Sequence, residues 1–427
     1  MNNIPRHLLK VMLQRIKQEQ VIVLTGARQT GKTTLAQSQL PEAARLQSDY
    51  LSFDDPDERF RFQKSATAIL ESLKSPLIIL DEVQKIPALF DSLKWVVDRQ
   101  KHQKSSAQKK FILTGSSQLL LMKNIRETMA GRAALLNLYP FSLSEVAENV
   151  NVPFISMLWN AGGIASKDEK LFHTLPVDKI RRTILLRDEH RVWGGYPPVW
   201  QKSETADKIN WLRDYRRTYL ERDVADVGQV SSIDNFALAQ KLLCTRTAGI
   251  LSISEVARDL ALAVNTVKRY LSLLSMTFQC FIVPPYYENV GKRLIKSPKI
   301  YFPDPGLNKA ILGDLSISDG AAYESWVFAE LLKWKQLEAV EPELYFYRTS
   351  SGLEIDFLIA GQGKILPIEV KLGNRVTAVD GGSLTQFIKE HPKKTTMGLI
   401  VYPGREFRQI RENIWAVPDW YLFGGIQ

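Results

Sequence analysis

Val21-Ile22-Val23-Leu24-Thr25-Gly26-Ala27-Arg28-Gln29-Thr30-Gly31-Lys32-Thr33-Thr34-Leu35-Ala36 decides how this chain is read. An apolar, strand-like run, Val21–Thr25, leads into Gly26–Thr33, which fits G-x-x-x-x-G-K-[ST], and a helical pattern follows. Strand, glycine-bearing loop and helix are the order the motif needs. Glycines let the backbone wrap closely round phosphate oxygens, and the loop N–H groups and helix N-terminus supply partial positive charge. Gly26, Ala27, Arg28, Gln29, Thr30, Gly31 and Thr34 are expected to line this loop. Lys32 is expected to reach the β- and γ-phosphates, and the Thr33 hydroxyl to ligate Mg²⁺.

Working outward, Leu51–Phe53, Leu77–Leu80 and Phe111–Thr114 read as further buried strands separated by helical patterns. Such alternation implies a parallel sheet. Leu77-Ile78-Ile79-Leu80 ends in Asp81-Glu82. Asp81 is placed to hold the Mg²⁺ shell, and Glu82 to orient or deprotonate an attacking water. Phe111–Thr114 ends in Thr114-Gly115-Ser116-Ser117, where Ser116, with Thr114 or Ser117 as alternatives, is placed to touch the γ-phosphate or the water. Arg132, after Gly131, is a candidate for reading the γ-phosphate in its own chain or in a neighbour's.

The 427 residues are 45% hydrophobic and 24% charged, which excludes a disordered or fibrous chain. No apolar run approaches the ~18–20 residues of a membrane span, and no signal-peptide core opens the chain, so a soluble, cytoplasmic protein is expected. Two cysteines, Cys244 and Cys280, exclude a disulfide framework and a cysteine-rich zinc site. The net charge of +10 is unevenly spread: residues 241–300 hold nine basic and three acidic side chains, residues 301–427 thirteen and sixteen. Such density suggests a polyanion partner, or a solvated surface.

In that basic segment Ile253–Leu260 reads as a short helix capped by Ser252 or Ser254. Asn265–Leu271 begins a second helix, with Val267, Leu271 and Leu274 on one face. The spacing is that of a helix-turn-helix, and Gly291–Lys296 between β-prone runs suggests a basic wing. Lys268, Arg269, Lys292 and Arg293 are the candidate DNA contacts.

Further on, Leu344–Tyr347, Glu354–Ile359, Ile365–Lys371 and Met397–Tyr402 read as strands. Alternation puts Glu369 and Lys371 on one face, with Asp356 on the paired strand and Glu324 on a preceding helix. Glu324, Asp356 and Glu369 as metal ligands, with Lys371 positioning water, would make a Mg²⁺ site for phosphodiester hydrolysis. Pro367 sits awkwardly inside one of these strands.

Two resemblances follow. Gly26–Thr34, Leu80–Pro87, Leu113–Ser117 and Ala130-Gly131-Arg132 with Pro140-Phe141-Ser142 resemble the AAA+-related ATPase domain of a large prokaryotic group. In that group a C-terminal domain of unknown function follows, and its marks resemble Gly194–Pro197, Tyr219–Val224, Lys299–Phe302 with Asp304, and Ile368–Lys371. The D…E-x-K pattern resembles the PD-(D/E)xK restriction-endonuclease-like core. The fold class expected is α/β: a P-loop NTPase parallel sheet with helices on both faces (residues 1–190), a helical, winged-helix-like segment (191–303), and an α/β restriction-endonuclease-like domain (304–427). The function expected is a Mg²⁺-dependent ATPase coupled to a DNA-binding, nuclease-like module, with ATP and Mg²⁺ as cofactors and DNA or a second copy of the chain as partners. A non-catalytic ATP-dependent switch, read by a protein partner or a promoter, is the alternative.

Overall fold

The computed structural model describes residues 4–102, 108–115, 128–149, 151–219, 232–288, 296–313 and 316–425. The chain divides into two compact units. One is Pro5–Pro140 with Met276–Phe278; the other holds Phe141–Ser275 and Gln279–Gln427.

The first unit is built on five parallel strands, β1 (Val21–Thr25), β2 (Ser48–Ser52), β3 (Leu77–Asp81), β4 (Lys110–Thr114) and β5 (Ala133–Asn137), in the order β2-β3-β4-β1-β5. Alternate side chains serve opposite faces. Ile22, Leu24, Ile79 and Ile112 pack with Leu8, Met12 and Ile16 of the helix Leu8–Gln18 and with Leu35 and Leu40. Val21, Val23, Ile78, Leu80, Phe111 and Leu113 pack on the other face with Phe62 and Leu70 of Pro56–Ser72 and Leu93 and Val97 of Leu89–His102. Because both faces are covered, β1 and β3 are apolar up to Thr25 and Asp81, the polar residues at their tips. The expected strands appear, with β2 displaced toward Ser48. The edge strand β5 escaped the sequence reading, since Ala-Ala-Leu-Leu-Asn is only half-buried and has no β-branched residue.

The second unit is helical from Phe154 to Trp193. These helices, expected within residues 1–190 of the ATPase half, pack instead with the C-terminal elements: Val177–Trp193 meets Pro305–Leu312 and Asp419–Gly424. Helices Ile253–Asp259 and Val264–Met276 follow, then an antiparallel pair, β6 (Phe281–Val283) and β7 (Lys299–Tyr301). Ser252 caps the first of these helices, accepting from the Glu255 N–H at 3.4 Å. The second helix buries Val267, Tyr270, Leu273 and Leu274, so Leu271 gives way to Tyr270 and Leu273 on the inner face.

A mixed six-stranded sheet ends the unit, with β8 (Glu343–Arg348), β9 (Glu354–Gly361), β10 (Lys364–Val370), β11 (Gly398–Tyr402), β12 (Arg408–Arg411) and β13 (Ile414–Pro418) in the order β12-β13-β11-β10-β9-β8. β8, β9 and β10 run antiparallel in turn, while β10, β11 and β13 are parallel. Pro367 is accommodated because odd-numbered residues of β10 point their nitrogens away from β9, as the Ile365 N–H does toward Lys394 O at 2.8 Å. The β11 pairing begins only at Ile368, opposite Leu399, so the N–H that proline lacks has no ladder partner to miss. Among the described residues no helix is long and apolar enough to cross a membrane.

His190 anchors the helical part of this unit. Its Nε2 meets Phe141 O at 2.9 Å, and its Nδ1 accepts from Trp326 Nε1 at 2.8 Å. Burial, reinforced by the Lys333 ammonium, holds its pKa down at about 3 against an ordinary 6.5. The unfolded chain therefore binds this proton first, and stability falls as pH drops from 6.5 toward 3. His190→Gln is expected to flatten that fall in urea titrations followed by tryptophan fluorescence. Equal acid sensitivity in variant and wild type would contradict the assignment.

Candidate functional sites

The loop after β1 has the backbone its sequence demands. Gly26 has φ 148°, and a Cβ there would lie 2.2 Å from Leu138 O, so only glycine fits. Gly31 (φ 92°) turns the chain into the helix that opens at Lys32. Lys32 Nζ donates to Gly26 O at 3.0 Å and Ala27 O at 2.7 Å, lying back along the loop it serves. Thr30 Oγ1 donates to Ala27 O at 3.0 Å.

Asp81, at the tip of β3, gathers the site. Thr33 Oγ1 donates to its Oδ2 at 2.9 Å, and the Tyr50 hydroxyl, from β2, donates to the same oxygen at 2.7 Å. The Thr114 hydroxyl, from β4, donates to Oδ1, which also accepts from the Glu82 N–H at 3.1 Å. Burial, with Asp81 beside it, pushes the Tyr50 phenol above its ordinary value, so it stays a donor. A hydroxyl and a carboxylate paired beside a phosphate-shaped loop are the hard oxygen donors Mg²⁺ takes, so the residues fit the ion.

Glu82 adopts a left-handed backbone, φ 57°, and its carboxylate accepts from Gln84 Nε2. A non-glycine residue held in that region at a strand tip is strained, as functional residues often are. Of the candidates after β4, Thr114 touches Asp81, and Ser116 and Ser117 lie outside the described residues. Arg132 is not near the loop in its own chain. It precedes Ala133, which pairs with Val21 at the start of β1, about 16 Å of strand from Gly26. There it grips Asp98 through two hydrogen bonds, 2.8 and 3.0 Å. The own-chain role therefore fails on register.

Arg6 was missed. Its buried guanidinium donates to Thr30 O at 2.7 Å and Tyr139 O at 2.5 Å, stapling the loop to the segment beyond β5. Nothing in the local sequence marks it, since an isolated arginine before a helix reads as surface. Tyr50 was missed for a similar reason, a tyrosine within a strand being ordinary.

In the second unit the structure brings Glu324, Asp356, Glu369 and Lys371 together and adds residues the sequence reading left out. Lys299 and Tyr301, alternate residues of β7, face the acids. Lys299 Nζ lies 3.1 Å from Glu324, 3.0 Å from Glu354 and 3.7 Å from Asp356, and its side chain is 4% exposed. The Tyr301 hydroxyl donates to Glu324 Oε1 at 2.6 Å. Lys371 Nζ donates to Glu369 Oε1 at 2.7 Å, and Asp356 Oδ2 accepts from the Val370 N–H at 2.8 Å. Burial, then the neighbouring Asp356, raises the pKa values of Glu324 and Glu369, and burial raises that of Asp356. Among the described residues no group of three or more His, Cys, Asp or Glu is placed to hold a metal ion. Lys299 bridges Glu324, Glu354 and Asp356, while Glu369 pairs with Lys371 and keeps a buried Oε2 without a hydrogen-bond partner. Lys268 is exposed on the helix Val264–Met276 with Arg269 half-buried beside it, while Lys292 and Arg293 lie outside the described residues.

Three family models match the chain: an AAA domain over residues 18–147, a domain of unknown function (DUF8612) over 185–317, and a second (DUF4143) over 319–422. Among curated proteins, the chain is 28% identical over 411 residues to an uncharacterised protein of Mycobacterium tuberculosis, covering 93% of this chain and 80% of that one. It is 24% identical to an uncharacterised protein of Haemophilus influenzae, covering 97% of each. Among solved structures, the ADP form of the Aeropyrum pernix ORC2 protein is 14% identical over 64% of this chain and 85% of that one, with a TM-score of 0.31. The loop and the strand order give residues 18–147, which match the AAA domain model, the fold of a P-loop ATPase, and the DUF4143 model matches the C-terminal residues 319–422.

Proposed function

We propose that the protein is a Mg²⁺-dependent ATPase whose nucleotide state governs a DNA-engaging C-terminal half. The observation that carries the first part is the 2.9 Å hydrogen bond between Thr33 and Asp81 beside Lys32. It registers the loop against the sheet before any ligand arrives. Bound Mg²⁺ would neutralise charge developing on the transferred phosphoryl group. Lys32 swings from the loop carbonyls to the phosphates, and Glu82, released from Gln84, orients the water. Ser116, with Thr114 or Ser117 as alternatives, contacts the γ-phosphate or the attacking water. Arg132 serves a neighbouring copy, because it lies at the end of the parallel strands opposite its own loop. Lys268 and Arg269, with Lys292 and Arg293, supply phosphate contacts from a winged-helix-like segment.

The nuclease-like pattern is taken as a DNA-contacting surface that does not cut. Lys299 supports this, since its ammonium already holds Glu324 and Asp356, two of the three carboxylates that a metal would need. The alternative, a switch that binds ATP without turning it over, differs in its demand on Glu82.

Lys32→Ala is expected to abolish ATP hydrolysis, measured as phosphate release. Glu82→Gln is expected to keep ATP binding and lower turnover about 100-fold or more; unchanged turnover would favour the switch. Lys299→Met is expected to cost about 3–5 kcal/mol in urea unfolding, because it strands buried carboxylates. A loss under about 1 kcal/mol would mean that Lys299 does not hold the cluster. Supercoiled plasmid with Mg²⁺ or Mn²⁺ is expected to stay intact, and cleavage lost in Asp356→Ala would restore the nuclease reading.

A further inference from the structure

A cavity of about 750 Å³ opens in the second unit, walled by the helix Val177–Trp193, the segment after β10 and the turn between β11 and β12. Five arginines line it: Arg187, Arg191, Arg375, Arg405 and Arg408. Asp188 and Glu406 are the acidic residues of its wall. Arg187 is committed elsewhere, with Nη1 2.5 Å from the buried Asp419 and Nε 2.7 Å from Asp188. Arg408 is held by Glu406 at 3.0 Å and by Val376 O at 2.8 Å. The other three differ. Arg375 and Arg405 are exposed, and Arg191 lies over the Tyr323 ring at 4.5 Å. Among the described residues none of these three has a carboxylate within ion-pair distance.

Arg375 and Arg405, with Arg191 whose charge also acts on the buried Asp419, line one concavity and repel one another, and an anion relieves that repulsion. The cavity lies outside the carboxyl ends of β10 and β11, two adjacent parallel strands, where open α/β sheets take ligands. Its wall includes Leu372, the residue after Lys371 in the chain. Its volume is that of a small-molecule site and admits one or two nucleotides but not a duplex. Guanidinium forks match phosphate oxygens, and a phosphate brings more charge and more acceptors than a carboxylate.

We propose that this cavity binds phosphate groups, presented by a single nucleic-acid strand or by a small phosphate compound, through Arg191, Arg375 and Arg405. The site is separate from the nucleotide loop and from the basic helix, and it stands if either of those readings fails.

The test uses full-length protein carrying Lys32→Ala, so that the nucleotide loop is silent. Fluorescence anisotropy with a labelled 12-nucleotide DNA strand, and calorimetry with pyrophosphate, are compared before and after adding Arg375→Ala and Arg405→Ala. Both side chains are exposed and have no carboxylate partner among the described residues, so the fold is expected to survive, with circular dichroism as the check. The expected result is a loss of affinity on the order of tenfold, with the salt dependence of strand binding falling by about 0.7 per contact removed. Arg375→Lys with Arg405→Lys is expected to restore part of it. A loss for the strand identifies nucleic acid as the source of phosphate, and a loss for pyrophosphate alone identifies a small compound; either supports the site. Lys268→Ala serves as the control for the basic helix. Unchanged binding of both probes in the Arg375→Ala, Arg405→Ala protein overturns the proposal, as does capture of an acidic peptide in preference to both.

Discussion

The Asp81 carboxylate is the point on which the first unit turns. It sits at the end of β3, and the sheet order sets β2 on one side and β4 on the other, so Tyr50 and Thr114 reach it from both neighbours while Thr33 reaches it from the helix after the loop. Hydrogen bonds to a charged group contribute about 1.5–3 kcal/mol each. They also fix geometry: a loop that must close round phosphates is already in register with the strand that carries the acid. Arg6 holds the other flank of the same loop, from Thr30 to Tyr139. The phosphate-binding backbone is thus braced from two directions by residues outside its own motif.

The second acid cluster is built on the opposite plan. Asp81 is satisfied by neutral hydroxyls, which can share an oxygen with an incoming cation. Glu324, Glu354 and Asp356 are instead satisfied by an ammonium, which competes for the space a cation needs. Burial makes this a committed arrangement, because removing one partner of a buried ion pair leaves the others uncompensated. Carboxylates and lysine therefore combine differently in the two units: hydroxyls meet Asp81 in one, while Lys299 and Lys371 pair with four carboxylates in the other. The difference lies in where the lysine comes from: Lys32 belongs to the loop it serves, while Lys299 enters from a separate β-pair.

Legibility followed the range of the interactions. The strand–loop–helix at Val21–Ala36 and the acids at the end of β3 were readable because their meaning is local: apolar runs, glycines at fixed offsets, a carboxylate after a buried strand. Four of the six strands of the second sheet were readable for the same reason. β12 and β13 were not, since Arg408–Arg411 is polar and largely exposed and gains its partner only by pairing with β13. Arg6 and Tyr50 carry no local mark, and Lys299 only that of a family motif with no role attached, because each acts on residues 24 to 133 positions away. Arg132 could be picked out as an arginine but not placed, because its distance from the loop depends on the register of β5 against β1.

Charge shows the same limit from another side. Composition concentrates positive charge in residues 241–300 and leaves residues 301–427 slightly acidic. Folding redistributes it. Arg187 and Arg191 come from a helix, Arg375 from the segment after β10, Arg405 from the turn before β12 and Arg408 from the first residue of β12, and they line one cavity although they are up to 221 positions apart in sequence. Long-range fields depend on where charges converge rather than on how they are strung along the chain. The acidic excess of this last segment is spent largely on internal partners, Asp356 and Glu354 on Lys299 and Asp419 on Arg187. Arg375 and Arg405 are left exposed without a carboxylate partner among the described residues, so a segment that is acidic in composition still contributes basic side chains to the wall of the cavity.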